Sequence, residues 1–252
     1  MSSIEVEEAE VLSQQSVAGV WSILRAKAPR LAALVQPGQS IQIRSGDVSA
    51  PVMRAKAHTG VIDLLFREDQ ATDANAHKAG ERLNVGGPIG AGFELSSRKA
   101  RPLLIAQGLG IAPIIFLAET LREHASQSNP LVFLGTRDSF PFRTRPSTIL
   151  LPDIPDGVIA CMPLLEEWGI ASRLASSDDA PGCFDGSVAE LAAIWLRSLD
   201  QAATKEVALF ASGDSDFVFA ATELSQQFGI PCQTVQLGEG TSPSVRLKSN
   251  PQ

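Results

Sequence analysis

The sequence predicts a β plus α/β fold in two parts. An antiparallel β-barrel or sandwich occupies residues 1–98, a doubly wound parallel sheet with helices on both faces occupies 99–237, and 238–252 form a flexible tail. Three observations carry this. As far as Leu95 the apolar runs are short, often β-branched and separated by turn residues, the pattern of antiparallel strands. After Arg98, stretches of helical spacing alternate with short continuous apolar runs, as in helices laid over a parallel sheet. The last stretch, GEGTSPSVRLKSNPQ, offers little apolar surface to bury.

In order, VAGVWSILRA, SIQIRSG, APVMRAKA, GVIDLLF and RLNVGGP read as the strands of the first part, with turns at PGQS (37–40) and HTG (58–60). The second part reads as strand PLLIAQ, helix APIIFLAETLREHA and strand PLVFLGT. VIACMP, SVAELAAIWLRSL, EVALFASG, FVFAATELSQQFG and CQTVQL continue the alternation. Val188, Leu191, Ala192, Trp195 and Leu196 recur at helical spacing and mark a core face. Residues 136–155, rich in Pro, Arg, Ser and Thr, read as a surface loop, and no internal repeat is found.

Composition excludes several classes. A formal charge of -7 without any Lys/Arg cluster argues against nucleic acid, whose affinity rests on neutralising phosphates. The run from Pro102 to Ala118, seventeen uncharged residues, is short for a bilayer span and is broken by Gly108, Gly110 and Pro113, so no membrane segment is expected. The acidic start MSSIEVEEAEV lacks the basic character of an export or transit peptide, and the expected location is the cytoplasm. Cys161, Cys183 and Cys232 are far apart, as are His58, His77 and His124. Neither a disulfide framework nor a metal site is expected.

The chemistry centres on LLIAQGLGIAPIIFLAETL, residues 103–121. Leu103 to Ala106 form a strand, Gly108-Leu109-Gly110 a turn, and Pro113 stands in the first helical turn, where its missing amide costs nothing. Such a turn lets the backbone approach a ligand, and the positive helix end favours an anion such as a pyrophosphate. A bare G-x-G serves tight packing about as often as it serves a ligand.

Together with GPIGAGF at 87–93, the run LLIAQGLGIAPI resembles the ferredoxin-reductase-like superfamily, and within it the electron-transfer subunit of heterodimeric dihydroorotate dehydrogenase. Pro37-Gly38-Gln39 is similar to that family's "PGQF", Leu134-Gly135-Thr136-Arg137 to its "LGxR", SDDAPGCFDGSV to its "DDGSxGxxGxV", and Ser212-Gly213-Asp214 falls at its Cys-Gly-Pro. The resemblance covers residues 10–237 in the same order. It implies FAD in the barrel, NAD(P)H on the second part at Gly108, Leu109, Gly110, Pro113, Gly135, Arg137, Ser212 and Gly213, and a protein redox partner or catalytic subunit in a hetero-oligomer.

The departures are specific. The family's flavin strand "RPxS" lands on Arg54-Ala55-Lys56-Ala57, keeping the arginine and losing the serine; a second register on Ala50-Pro51-Val52-Met53 loses both. Leu65-Phe66-Arg67 matches the next flavin-facing strand, with Phe66 as the aromatic surface, and of the family's "G-T" phosphate pair only Thr72 stands in. The cysteines that would hold an iron–sulfur cluster are missing from the end of the chain, so no cluster is expected. Asp138 hints at an unphosphorylated ribose and Arg137 beside it pulls the other way.

These readings lead to a flavin-dependent electron-transfer subunit or reductase, passing electrons from NAD(P)H through FAD to a partner such as a dihydroorotate dehydrogenase catalytic subunit in pyrimidine biosynthesis. No side chain is assigned a catalytic role. The alternative is a non-catalytic binding or regulatory subunit on a decayed scaffold of the same kind. On the first reading, a bulky residue at Gly110 should abolish nicotinamide binding with the barrel intact, and Arg54→Ala should weaken flavin retention.

Overall fold

The computed structural model describes residues 4–43, 48–68, 77–95, 101–124, 129–178 and 180–238, together with the strand 244–248. The first part is a closed antiparallel barrel of β1 (Glu5–Ala18), β2 (Trp21–Lys27), β3 (Ser40–Ile43), β4 (Val48–Lys56), β5 (Val61–Arg67) and β6 (Arg82–Ile89), in the order β1-β2-β5-β4-β3-β6. The run VAGVWSILRA does not form one strand. Gly19 takes a left-handed φ of 53°, and the chain reverses there into a β1–β2 hairpin that pairs Ser16 with Ser22.

The acidic start supplies the first half of β1. Glu7 faces inward on this strand and accepts from the Leu31 amide at 2.8 Å and the Arg30 amide at 3.3 Å. These are first-turn amides of α1 (Pro29–Leu34), which has no side-chain cap of its own. Leu31 thereby stays seated among Leu24, Ile41, Ile43, Ile62 and Leu64 in the barrel interior.

The second part consists of β7 (Arg101–Gln107), α2 (Ile111–His124), β8 (Leu131–Thr136), β9 (Arg145–Pro146), β10 (Ala160–Cys161), α3 (Pro163–Glu167), β11 (Ser172–Ser176), β12 (Phe184–Asp185), α4 (Val188–Ser198), α5 (Gln201–Lys205), β13 (Val207–Gly213), α6 (Ser215–Phe228), β14 (Cys232–Gln236) and β15 (Ser244–Lys248). The sheet runs β12-β11-β8-β7-β13-β14-β15 and is parallel except for β15. Within the expected tail, β15 pairs antiparallel with β14.

VIACMP, expected as a sheet strand, contributes only β10, which pairs with β9 outside the main sheet. The place beside β8 is taken by β11, whose polar sequence SRLAS hides it from an apolar count. Most of its buried polar atoms find partners: Ser172 accepts from the Met162 amide at 3.2 Å, and Arg173 donates through its two terminal nitrogens to the Ser172 and Ile149 carbonyls at 2.7 and 2.8 Å.

The 136–155 loop is pinned by Glu166, which accepts from the Thr148 amide at 2.5 Å, the Thr148 hydroxyl at 2.7 Å and the Ser147 hydroxyl at 2.8 Å. Burial opposes ionisation of Glu166, but these hydrogen bonds outweigh it and hold its carboxyl down at about 2. A carboxyl depressed on folding stabilises the fold above its ordinary value of 4.5, and that contribution fades as pH falls towards 2. Between about pH 6 and about pH 3 the wild type should therefore lose more thermal stability than Glu166→Gln, measured as unfolding midpoints. Equal losses would show that Glu166 does not carry the acid sensitivity.

The two parts share their cores. Trp21, Met53, Leu65 and Phe93 of the first pack in one cluster with Leu104, Ile115 and Phe210 of the second, while Phe116 of α2 reaches into the barrel cluster. Phe93 and Phe210 meet edge to face at 5.7 Å between centroids.

Candidate functional site

The chain order along the sheet reverses at β7. From β7 it runs outward through β8 to β11, then returns to β13 and continues to β14 on the other side. The crevice beyond the carboxyl ends of β7 and β13 is thus a topological switch point, where open α/β sheets bind ligands. A cleft of about 240 Å³ lies there. Gln107, Gly108 and Leu109 form one wall, Thr136, Arg137 and Asp138 a second, and Gly213 and Asp214 a third, with Arg67 of the barrel and Leu237 and Gly238 at its border.

The glycines of the motif divide by role. Gly108 has φ 58° and nothing within 4 Å of where a Cβ would stand, so it leaves room beside the cleft. At Gly110 a Cβ would lie 1.9 Å from the Ser212 carbonyl oxygen, so this glycine lets the turn press against β13. Gly135 and Gly213 are similar: Cβ atoms there would meet Val188 at 2.3 Å and the Phe217 ring at 2.6 Å. Gly110 also lines the cleft, so a bulky side chain there strikes the backbone of the central sheet as well as the ligand side, and its effect extends to the stability of the α/β lobe. Pro113 is the third residue of α2 and is buried.

Ser212 is fully buried, and its hydroxyl donates to the Val235 carbonyl at 3.2 Å. It holds β13 to β14 and does not line the cleft.

Two charge pairs cross the cleft walls. Arg67 meets Asp138 at 2.8 Å and lies over the Trp21 ring, 5.3 Å from its centroid. The Trp21 indole donates to the Ser139 carbonyl at 2.6 Å, fixing the loop that carries Asp138. Arg137 stands 3.8 Å from Asp214, which also accepts from the Phe217 amide at 2.9 Å as the cap of α6. Asp214 enters the motif match without a role of its own; its cap position, one residue before helical spacing begins, is the sequence signal for it.

The residues matched to the flavin strand do not converge on this cleft. Arg54 donates to Glu119 of α2 at 2.7 Å, and Lys56 lies 3.0 Å from the same oxygen. Ala55 and Ala57 border another groove, of about 760 Å³, with Phe93, Phe116 and Glu123. Leu65 is buried in the shared core and Phe66 in the barrel interior, so neither offers an exposed face to a ring. In the second register Met53 takes the serine's place, at an irregularity in the β4–β5 pairing, with its side chain in the shared core. Thr72 lies outside the described residues. The described residues therefore do not fit a flavin held through Arg54, whereas the switch-point cleft keeps open space beside Gly108 at the turn into α2.

Cys161, Cys183 and Cys232 lie on or beside different strands, and no group of three or more His, Cys, Asp and Glu among the described residues could hold a metal ion. No helix among those residues is long and apolar enough to cross a membrane.

No family model matches the chain. It is similar to the dihydroorotate dehydrogenase B (NAD(+)) electron transfer subunit of Desulforamulus reducens, 34% identical over 143 residues, which are 53% of this chain and 54% of that protein. The subunit of the same description from Geobacillus thermodenitrificans is 29% identical over 126 residues, 46% of this chain and 49% of the relative. The chain thus spans about half the length of these curated relatives. Among solved structures, a ferredoxin reductase in carbazole 1,9a-dioxygenase matches with a TM-score of 0.69 at 15% identity, covering 92% of this chain and 69% of that one. The flavohem-like FAD/NAD binding domain of nitric oxide dioxygenase from Vibrio cholerae O1 biovar El Tor matches at 0.63 and 13%, covering 92% and 98%. The fold is ferredoxin-reductase-like, and the curated relatives are electron-transfer subunits.

Proposed function

We propose that the chain is the nicotinamide-dinucleotide-binding subunit of an electron-transfer assembly and works with a separate catalytic subunit. The observation that carries this reading is the cleft at the ends of β7 and β13, with Gly108 facing open space at the start of α2. A dinucleotide there would set its pyrophosphate towards the Gly108–Gly110 turn, between walls held by Arg67–Asp138 and Arg137–Asp214. The curated relatives support a dihydroorotate dehydrogenase catalytic subunit of pyrimidine biosynthesis as the partner, a hetero-oligomer as the working form and NADH as the dinucleotide. A cytoplasmic location and the absence of an iron–sulfur cluster of its own belong to the same proposal.

FAD enters through the neighbours described as FAD/NAD binding, and when bound a flavin supplies hydride acceptance. Because the described residues do not fit a flavin on Arg54, the role derived for this chain's own residues is binding and orienting the dinucleotide. A second reading, a non-catalytic binding subunit, is favoured by the pairing of Arg54 and Lys56 with Glu119 and by Met53 in the shared core.

A visible absorption spectrum, taken after incubation with FAD and desalting and again with NADH without oxygen, separates the two. A retained flavin band that bleaches with NADH is the electron-transfer result. Saturable NADH binding without retained flavin is the binding-subunit result, and neither flavin nor NADH binding would overturn both.

A further inference from the structure

We infer that Arg54, Lys56 and Glu119 form an ion-paired joint that closes the barrel onto the α/β lobe, in place of the flavin-binding role that the resemblance implies for Arg54. The inference stands apart from the dinucleotide reading and does not require it.

Glu119 lies in the middle of α2 and is 2% exposed. A carboxylate taken out of water this fully needs its cations, and removing one leaves the buried charge only partly compensated. Both cations come from the other lobe. Arg54 reaches it through Nη2 at 2.7 Å and Nε at 3.2 Å, Lys56 through Nζ at 3.0 Å, and Lys56 also holds Glu123 one helical turn on, at 2.7 Å. Arg54 further lies 5.4 Å from the centroid of the Trp168 ring, which Arg122 of α2 also approaches at 5.0 Å. Turning Arg54 to a phosphate would strip Glu119 of its closest partner.

Packing points the same way. Phe116, three residues before Glu119, inserts into the barrel core, and Met53, adjacent to Arg54, inserts into the core shared with the second lobe. The polar joint is therefore flanked by apolar side chains exchanged in both directions. Strand β4 and helix α2 have become a structural contact.

The test compares the full-length wild type with Arg54→Ala, Glu119→Gln and the double variant, reading thermal unfolding midpoints and the FAD retained after incubation and desalting. Arg54→Ala should lower the midpoint by roughly 3 °C or more, since the buried carboxylate loses the closer of its two cations and keeps Lys56. The near-isosteric Glu119→Gln removes the charge without a cavity, and the double variant should lose clearly less than the sum of the two single losses. Retained FAD per chain should be the same in wild type and Arg54→Ala, whatever its level. Additive losses, or a fall in retained FAD in Arg54→Ala at an unchanged midpoint, would overturn the inference.

Discussion

Gly110→Val is expected to destabilise the α/β lobe by about 3 kcal/mol or more, because the new Cβ falls on backbone and no side chain can yield. The atoms it meets are the Ser212 carbonyl oxygen at 1.9 Å, the carbonyl carbon at 2.3 Å and the Gly213 nitrogen at 2.7 Å. These belong to β13, which lies between β7 and β14, so relief requires moving a central strand or unwinding the start of α2. Even Gly110→Ala should show most of the effect. Equilibrium unfolding in urea, followed by circular dichroism, measures it, and a Gly110→Ala protein as stable as wild type would show that the turn does not press on β13.

Trp21→Ala should cost about 3–5 kcal/mol, the usual range for removing a large buried aromatic side chain. Trp21 is fully buried between the barrel and the second lobe, so its loss leaves a cavity at the joint and also removes the donor to the Ser139 carbonyl and the surface under Arg67. Since Arg67 and Asp138 form part of the cleft wall, NADH affinity should fall together with stability. Trp21→Phe keeps most of the packing and loses the hydrogen bond, and should cost about 1 kcal/mol with a smaller change in affinity. Calorimetric unfolding and an NADH titration on both variants check the pair. Loss of stability with wild-type NADH affinity in Trp21→Ala would separate Trp21 from the cleft.

The architecture was legible because apolar periodicity differs between barrel and sheet, and because the GLG turn lies where a strand passes into a helix. Strand β11 was not legible: three of its five buried residues are Ser172, Arg173 and Ser176, and partners such as the Met162 amide and the Ile149 carbonyl come from segments that the strand's own sequence does not announce. The acidic start hid β1 for a similar reason, since Glu7 faces inward to bond α1 amides 23 and 24 residues away. At the site, residue types marked the turn but could not sort its glycines, because the clash at Gly110 depends on a strand about a hundred residues later. The fate of Arg54 was likewise invisible. Its partner Glu119 sits on a helix whose sequence gives no sign that one acidic residue is buried.

The central claim, that the cleft at the ends of β7 and β13 seats a nicotinamide dinucleotide, is tested most directly by titrating NADH into wild type and Gly108→Asn. Asparagine tolerates the left-handed backbone at this position and adds a side chain beside the cleft without meeting protein atoms within 4 Å of its Cβ. The account predicts saturable binding by the wild type and at least about tenfold weaker binding by Gly108→Asn, equivalent to about 1.4 kcal/mol, at an unchanged unfolding midpoint. Equal affinity in the two proteins, or no binding by the wild type, would contradict it.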